Sequence, residues 1–215
     1  LQSNAKRRSP AKQNIYLKLP SLASGVSARN RGRAMIILGI ETSCDETAAA
    51  VVKDGREILS HVVASSAQMH AETGGIIPER AAREQVRSII PVIEKALIDA
   101  FRLRSTDYGK KEAVVGSRLA VDKIDAIAVT VGPGLVGSLL VGVETGRTLA
   151  YVWDKPIVPV NHLAAHIYAN WLVPELKAKS SKLKAKYAEP NLPAVALVVS
   201  GGHTDLVLLK DHGDM

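Results

Sequence analysis

Apolar and polar positions alternate along this chain in blocks that predict its elements. Met35-Ile36-Ile37-Leu38-Gly39-Ile40 is an apolar run closed by Glu41, the pattern of a buried strand. The polar stretch 42–46 reads as a turn and 47–53 as a second strand. Asp54-Gly55 is a hairpin signal, and 57–65 makes a third strand. Three antiparallel strands are therefore expected at the start. In 78–102, Val86, Ile89, Ile90, Ile93, Leu97 and Phe101 recur at helical spacing behind Pro78, which suits a first turn. A polar excursion over 104–121 follows, then a strand over 124–131, a Gly-Pro-Gly turn and a helix over 136–152. Residues 156–160 predict another strand and 162–172 another helix. A Lys-rich stretch leads to a strand pair over 194–199 and 204–209, joined by Ser200-Gly201-Gly202.

Composition sharpens this picture. The chain has 215 residues, is 47% hydrophobic and only 4% aromatic, so its core must be aliphatic. The net charge of +7 suggests a nucleic-acid partner until its distribution is read. Eight of the 28 basic residues lie in 1–34, which holds no acid; the remainder has 20 basic against 21 acidic residues. Global charge thus gives no reason for the folded part to bind RNA. The basic, acid-free segment 1–34 has the composition of an organellar transit peptide, or of an upstream extension read through from a misassigned start, and is expected to be disordered. Cys44 is the one cysteine, which excludes a disulfide within the chain and fits a reducing compartment. No apolar run approaches the roughly 20 residues that a membrane helix needs.

Five motifs carry candidate chemistry. His162 and His166 stand at i and i+4, on one face of a helix and one turn apart, the spacing for two ligands to one metal ion. Packing or capping roles for one of them remain open at this point. A metalloprotease would place a general-base glutamate directly after the first histidine; Leu163 occupies that position. Ser200-Gly201-Gly202-His203-Thr204 follows an apolar strand, and its glycines suit backbone N–H groups facing a phosphate or an ordinary hairpin turn. Gly132-Pro133-Gly134-Leu135-Val136-Gly137-Ser138 lacks the Gly-Lys-Ser/Thr ending of a P-loop and reads mainly as a close-approach turn at the sheet edge, with a ligand contact left open. Thr42-Ser43-Cys44-Asp45-Glu46 is a polar turn, and His70 precedes a Gly-Gly loop.

The co-occurrence of these motifs in this order is specific. Gly39-Ile40-Glu41-Thr42-Ser43-Cys44-Asp45-Glu46-Thr47, Gly74-Gly75-Ile76-Ile77-Pro78-Glu79, Gly132-Pro133-Gly134-Leu135, Asn161-His162-Leu163 with His166, and Val199-Ser200-Gly201-Gly202-His203-Thr204 resemble the TsaD family of tRNA threonylcarbamoyladenosine transferases. The element order is that of the α/β actin-like, sugar-kinase and chaperone ATPase fold. On that reading 1–34 is an extension, 35–172 the first lobe, 173–193 a connector and 194–215 the start of an incomplete second lobe, so the sequence is expected to be C-terminally truncated. Glu144-Thr145-Gly146-Arg147 and Ala82 depart from the family pattern, and a glycine such as Gly146 inside a helix costs up to about 1 kcal/mol.

The resemblance implies a metal-dependent enzyme. It would move the threonylcarbamoyl group from threonylcarbamoyl-AMP to the adenosine beside the anticodon of tRNAs reading ANN codons. His162 and His166 match the family's metal ligands; the third, an aspartate, would lie beyond this chain. Val198, Val199, Ser200, Gly201 and Gly202 match its substrate-binding segment, and Asp45, Glu46 and His203 are expected to assist catalysis. The resemblance further implies one divalent ion, Fe2+ ahead of Zn2+ or Mg2+, a degenerate TsaB-like paralogue and a TsaE-like small ATPase as partners, and a cytoplasmic location, or a mitochondrial or plastid one if 1–34 directs import. The fragment alone is expected to be inactive. A phosphotransferase of the same fold is the nearest rival, but magnesium held by carboxylates and phosphates leaves the histidine pair unexplained. A peptidase is disfavoured by Leu163, and a non-catalytic scaffold is the third alternative.

Overall fold

The computed structural model describes residues 33–66, 74–103, 118–174, 190–199 and 204–215. The described residues open with strands β1 (Ile36–Glu41), β2 (Glu46–Lys53) and β3 (Glu57–Ser65), followed by helix α1 (Pro78–Phe101) and a single turn α2 (Arg118–Val121). Strand β4 (Ala126–Gly132), helix α3 (Val136–Trp153), strand β5 (Ile157–Asn161) and helix α4 (His162–Tyr168) come next. A 3-10 turn (Ala169–Trp171), the short strand β6 (Val173–Pro174) and the hairpin β7 (Ala194–Val199) and β8 (Thr204–Leu209) complete the order.

Among the described residues six strands form one mixed sheet in the order β5-β4-β1-β2-β3-β6. The first three are antiparallel neighbours, as the turn signals predict, whereas β4 joins β1, β5 joins β4 and β6 joins β3 in parallel. The protein is thus an α/β fold with a mixed sheet, and β7 and β8 form a separate antiparallel pair.

The core explains why the apolar runs alternate after all. Leu38 and Ile40 pair with Val51 and Ala49 on one side and with Ile127 and Val129 on the other, and all six are buried. Helices α1 and α3 cover that face, sending Ile89, Ile93 and Leu97 and then Leu149, Ala150 and Trp153 into the same cluster. The opposite face carries Gly39, Ala48 and Ala50, small and half-buried. An unbroken apolar strand here is buried on one face, not two.

Helix α3 lies close because its inner face is small. Ser138, Gly142, Gly146 and Ala150 repeat every fourth residue and are all buried. A Cβ on Gly142 would stand 2.3 Å from Thr42 Oγ1, which instead donates to the Ser138 carbonyl at 2.7 Å.

Strand ends shift by one or two residues from the sequence reading, as at Ala126–Gly132 for the strand expected over 124–131, and three differences go further. The helix expected over 162–172 is α-helical only to Tyr168 and tightens into the 3-10 turn. Val173 and Pro174, assigned to the connector, pair with Glu57 and Ile58 and so extend the first sheet. Part of the excursion over 104–121 is the helical turn α2. The remainder of that excursion, the connector from 175 to 189, the extension 1–32 and His70 lie outside the described residues.

Candidate functional site

Helix α4 is placed by its first residues. Asn161 ends β5 and caps the helix, its Oδ1 accepting from the backbone N–H groups of Leu163 at 2.9 Å and Ala164 at 3.1 Å. The cap sets the first helical turn, and with it His162. One turn later His166 stands on the same face, and the two Nε2 atoms are 3.1 Å apart. The rings meet edge to face, with centroids 4.5 Å apart and planes at 88°.

The other nitrogen of His162 faces protein. Its Nδ1 lies 3.1 Å from Ser43 Oγ and 3.3 Å from Glu41 Oε2. Glu41 is the last residue of β1, and its Oε1 accepts the Ser43 backbone N–H at 2.5 Å. Burial pushes the Glu41 carboxyl up, but hydrogen bonds from Ser43, Thr130 and His162 outweigh it and hold the group below the usual carboxylate range.

The polar turn 42–46 is fixed from two sides. Gln85, buried on α1, points its Nε2 at the carbonyls of Cys44 at 2.8 Å, Glu46 at 3.1 Å and Thr42 at 3.3 Å. From the other side Leu135 N–H donates to the Ser43 carbonyl at 2.7 Å. Gly134 makes that approach possible, since a Cβ there would stand 2.4 Å from the same carbonyl oxygen. The Gly-Pro-Gly segment is therefore a close-approach turn as expected, but not at the sheet edge: it follows β4, an interior strand, because β5 adds in parallel outside it.

These parts enclose a cleft of about 470 Å³. One wall is α4, with His162, Leu163, His166, Ile167 and Asn170; the floor is Ser43, Cys44 and the Pro133–Leu135 segment. The rest of the lining is β7, from Ala196 to Val199. The structure thus brings His162 and His166 together with Val198 and Val199. Asp45 and Glu46 sit just outside this lining. Asp45 is half-buried and its carbonyl accepts from Ser66 N–H and Oγ–H, while Glu46 is exposed at the start of β2. Ser200, Gly201, Gly202 and His203 lie outside the described residues.

Cys44 is exposed on the cleft floor, and partial burial together with the neighbouring Asp45 carboxylate pushes its thiol up. The sequence reading did not single out Glu41, Ser43 or Gln85 for a role. Glu41 and Ser43 stood inside a recognised motif, so a signal existed; Gln85 is one polar residue on an otherwise apolar helix face, which only packing turns into a function.

Two imidazole nitrogens each roughly 2.1 Å from a shared ion stand roughly 3 to 3.4 Å apart, so the 3.1 Å separation suits first-sphere ligation. Among the described residues no set of three His, Cys, Asp or Glu side chains converges as a complete metal site. For a tetrahedral ion the pair would supply half of the donor set.

A family model described as TsaD, tRNA N6-adenosine threonylcarbamoyltransferase, matches residues 57–215. A tRNA N6-adenosine threonylcarbamoyltransferase of Thermomicrobium roseum is 52% identical over 180 residues, covering 84% of this chain and 43% of the relative. The protein of the same name from Bacillus subtilis is 48% identical over 179 residues, covering 83% and 43%. This chain therefore spans somewhat under half the length of the curated relatives it matches. Among solved structures, YeaZ from Pseudomonas aeruginosa aligns with a TM-score of 0.38 and 18% identity, over 60% of this chain and 46% of that one.

Proposed function

Because the chain belongs to the TsaD family of tRNA N6-adenosine threonylcarbamoyltransferases, we propose that it forms the metal-holding half of a cleft that transfers a threonylcarbamoyl group from threonylcarbamoyl-AMP to the tRNA adenosine beside the anticodon. The observation that carries this reading is the His162–His166 pair, with nitrogens 3.1 Å apart, lining the same cleft as Val198 and Val199. Histidines are poor ligands for magnesium and good ones for iron or zinc, which favours Fe2+ or Zn2+ over a phosphotransferase centre. When bound there, a divalent ion supplies Lewis acidity toward a carbonyl or phosphoryl oxygen.

The chain's own residues have separate tasks on this reading. His162 and His166 hold the ion, and Leu163 and Ile167 give the same wall an apolar surface. Ser200-Gly201-Gly202, next in sequence after β7, would offer backbone N–H groups to the adenylate phosphate. Asp45 and Glu46, directly after the floor residue Cys44, and His203 would assist proton transfer, with loss of transfer in Asp45→Ala at unchanged metal content as the check. The strand order β5-β4-β1-β2-β3, with three antiparallel strands and two parallel additions, supports the first lobe of an actin-like fold, and β7–β8 the opening of the second.

Partners follow the same reading. Val86 and Ile90 on α1 and Val136 and Leu140 on α3 are exposed, and these two helices pack together, which suits a paralogous subunit of TsaB type. A TsaE-like ATPase and a cytoplasmic location are proposed with it. Among the described residues no helix is long and apolar enough to cross a membrane.

The test is the transfer itself. The chain is supplemented with the C-terminal remainder of the Thermomicrobium roseum relative and incubated with tRNA and threonylcarbamoyl-AMP. Nucleosides are then quantified by mass spectrometry, with ATP-dependent sugar phosphorylation assayed alongside. Modified adenosine that disappears in His162→Ala and His166→Ala supports the proposal; phosphorylation without modification would replace it with the phosphotransferase reading.

A further inference from the structure

The His162–His166 pair only binds an ion if its lone pairs point to one place, and the neighbours of His162 decide that. A neutral imidazole carries one N–H and one bare nitrogen, and the partner of one nitrogen fixes the state of the other. Glu41 Oε2 lies 3.3 Å from His162 Nδ1, on the side away from His166. A carboxylate only accepts, so this contact is a hydrogen bond when Nδ1 carries the proton. Ser43 Oγ, 3.1 Å from the same nitrogen, can donate or accept and adapts to either state. The Glu41 carboxylate is itself held in place, because Oε1 accepts the Ser43 backbone N–H at 2.5 Å and the side chain ends a strand whose backbone is paired on both sides.

We infer that Glu41 is a positioning residue: it keeps His162 in the Nδ1–H tautomer and so leaves the Nε2 lone pair directed at the point shared with His166 Nε2. The inference rests on the proposed metal reading, and it assigns Glu41 a part that neither the histidine spacing nor the glycine turns suggested. Carboxylates behind metal-bound histidines act in this way generally, and their loss lowers metal affinity by roughly 10- to 100-fold. Glu41→Gln is the discriminating variant. The amide matches the carboxylate in shape, yet its NH2 can donate to Nδ1 and stabilise the opposite tautomer, with the proton on Nε2.

Two readouts test this, and one needs no metal. Long-range 1H–15N correlation spectra of the chain at neutral pH report which ring nitrogen of His162 is protonated, with His162→Ala assigning the signals. The expected result is Nδ1–H in the wild type and a shift toward Nε2–H in Glu41→Gln, with Ser43→Ala leaving the wild-type tautomer in place. A wild-type His162 protonated mainly on Nε2 overturns the inference even if no variant folds, and so does a Glu41→Gln spectrum identical to wild type. In the second readout, Co2+ titration followed by its visible absorption should show the affinity loss in Glu41→Gln; unchanged affinity would also overturn the inference. Failure of the wild type to bind Co2+ at the pair would remove the metal reading, while the spectra still decide whether Glu41 sets the tautomer.

Discussion

Gly142 on α3 and Thr42, the residue after β1, are in such close contact that no side chain fits between them. A Cβ on Gly142 would stand 2.3 Å from Thr42 Oγ1 and 3.4 Å from Thr42 Cβ. The threonine is buried at 1% exposure and has already committed its hydroxyl to the Ser138 carbonyl, so it has nowhere to turn. Gly142→Ala is therefore expected to destabilise the protein by about 1 to 3 kcal/mol through overpacking. Gly146, one turn later, differs. Its added Cβ would meet Val129 at 3.4 Å and Ile157 at 3.6 Å, ordinary contact distances. Gly146→Ala should be neutral or stabilise by up to about 1 kcal/mol through helix propensity. Urea denaturation of both variants checks the pair, and equal losses would contradict it.

Asn161 caps the helix that carries both histidines, satisfying two of its first backbone N–H groups. Asn161→Ala should cost about 1 kcal/mol, and Asn161→Asp, which keeps an accepting oxygen, should cost much less. Urea denaturation measures both. Equal stability of Asn161→Ala and wild type would show that sheet and cleft contacts alone fix the start of α4.

The Glu41 carboxyl titrates below its ordinary value of 4.5 because hydrogen bonds from Ser43, Thr130 and His162 outweigh the burial that raises it. A folded-state value below the unfolded one gives stability that is present above the unfolded value and is lost as pH falls through the folded value. The stability difference between wild type and Glu41→Gln should be constant above about pH 5.5 and shrink on acidification below about pH 4.5. Denaturation midpoints across that range test it; a difference that grows on acidification would mean the carboxyl is raised instead.

Cys44 lies on the cleft floor with its thiol held up by partial burial and by the charge of Asp45. Although exposed, it should react slowly with iodoacetamide near neutral pH, because the thiolate is the nucleophile. Asp45→Asn removes the charge, lowers the thiol toward its ordinary value and should speed alkylation several-fold. The pH dependence of the alkylation rate, followed by mass spectrometry, reads this directly, and a slower Asp45→Asn would reverse the assignment.

Local pattern alone determined most of the architecture. The strand over 57–65 was legible to the residue because Asp54-Gly55 set the turn and alternation set the faces. The helix from Pro78 was legible from its apolar period and its proline start. The histidine pair was legible because i and i+4 share a helix face wherever the helix lies. Tertiary structure decided the rest, for one physical reason: the partners are distant in sequence, so no window along the chain contains them. Glu41 meets His162 across 121 residues, Gln85 reaches the Cys44 carbonyl across 41, and Gly142 was an unremarkable helix glycine until Thr42 lay against it. The two-residue strand at Val173 carries too little pattern to be read, and exists only because the edge of β3 was there to pair with it.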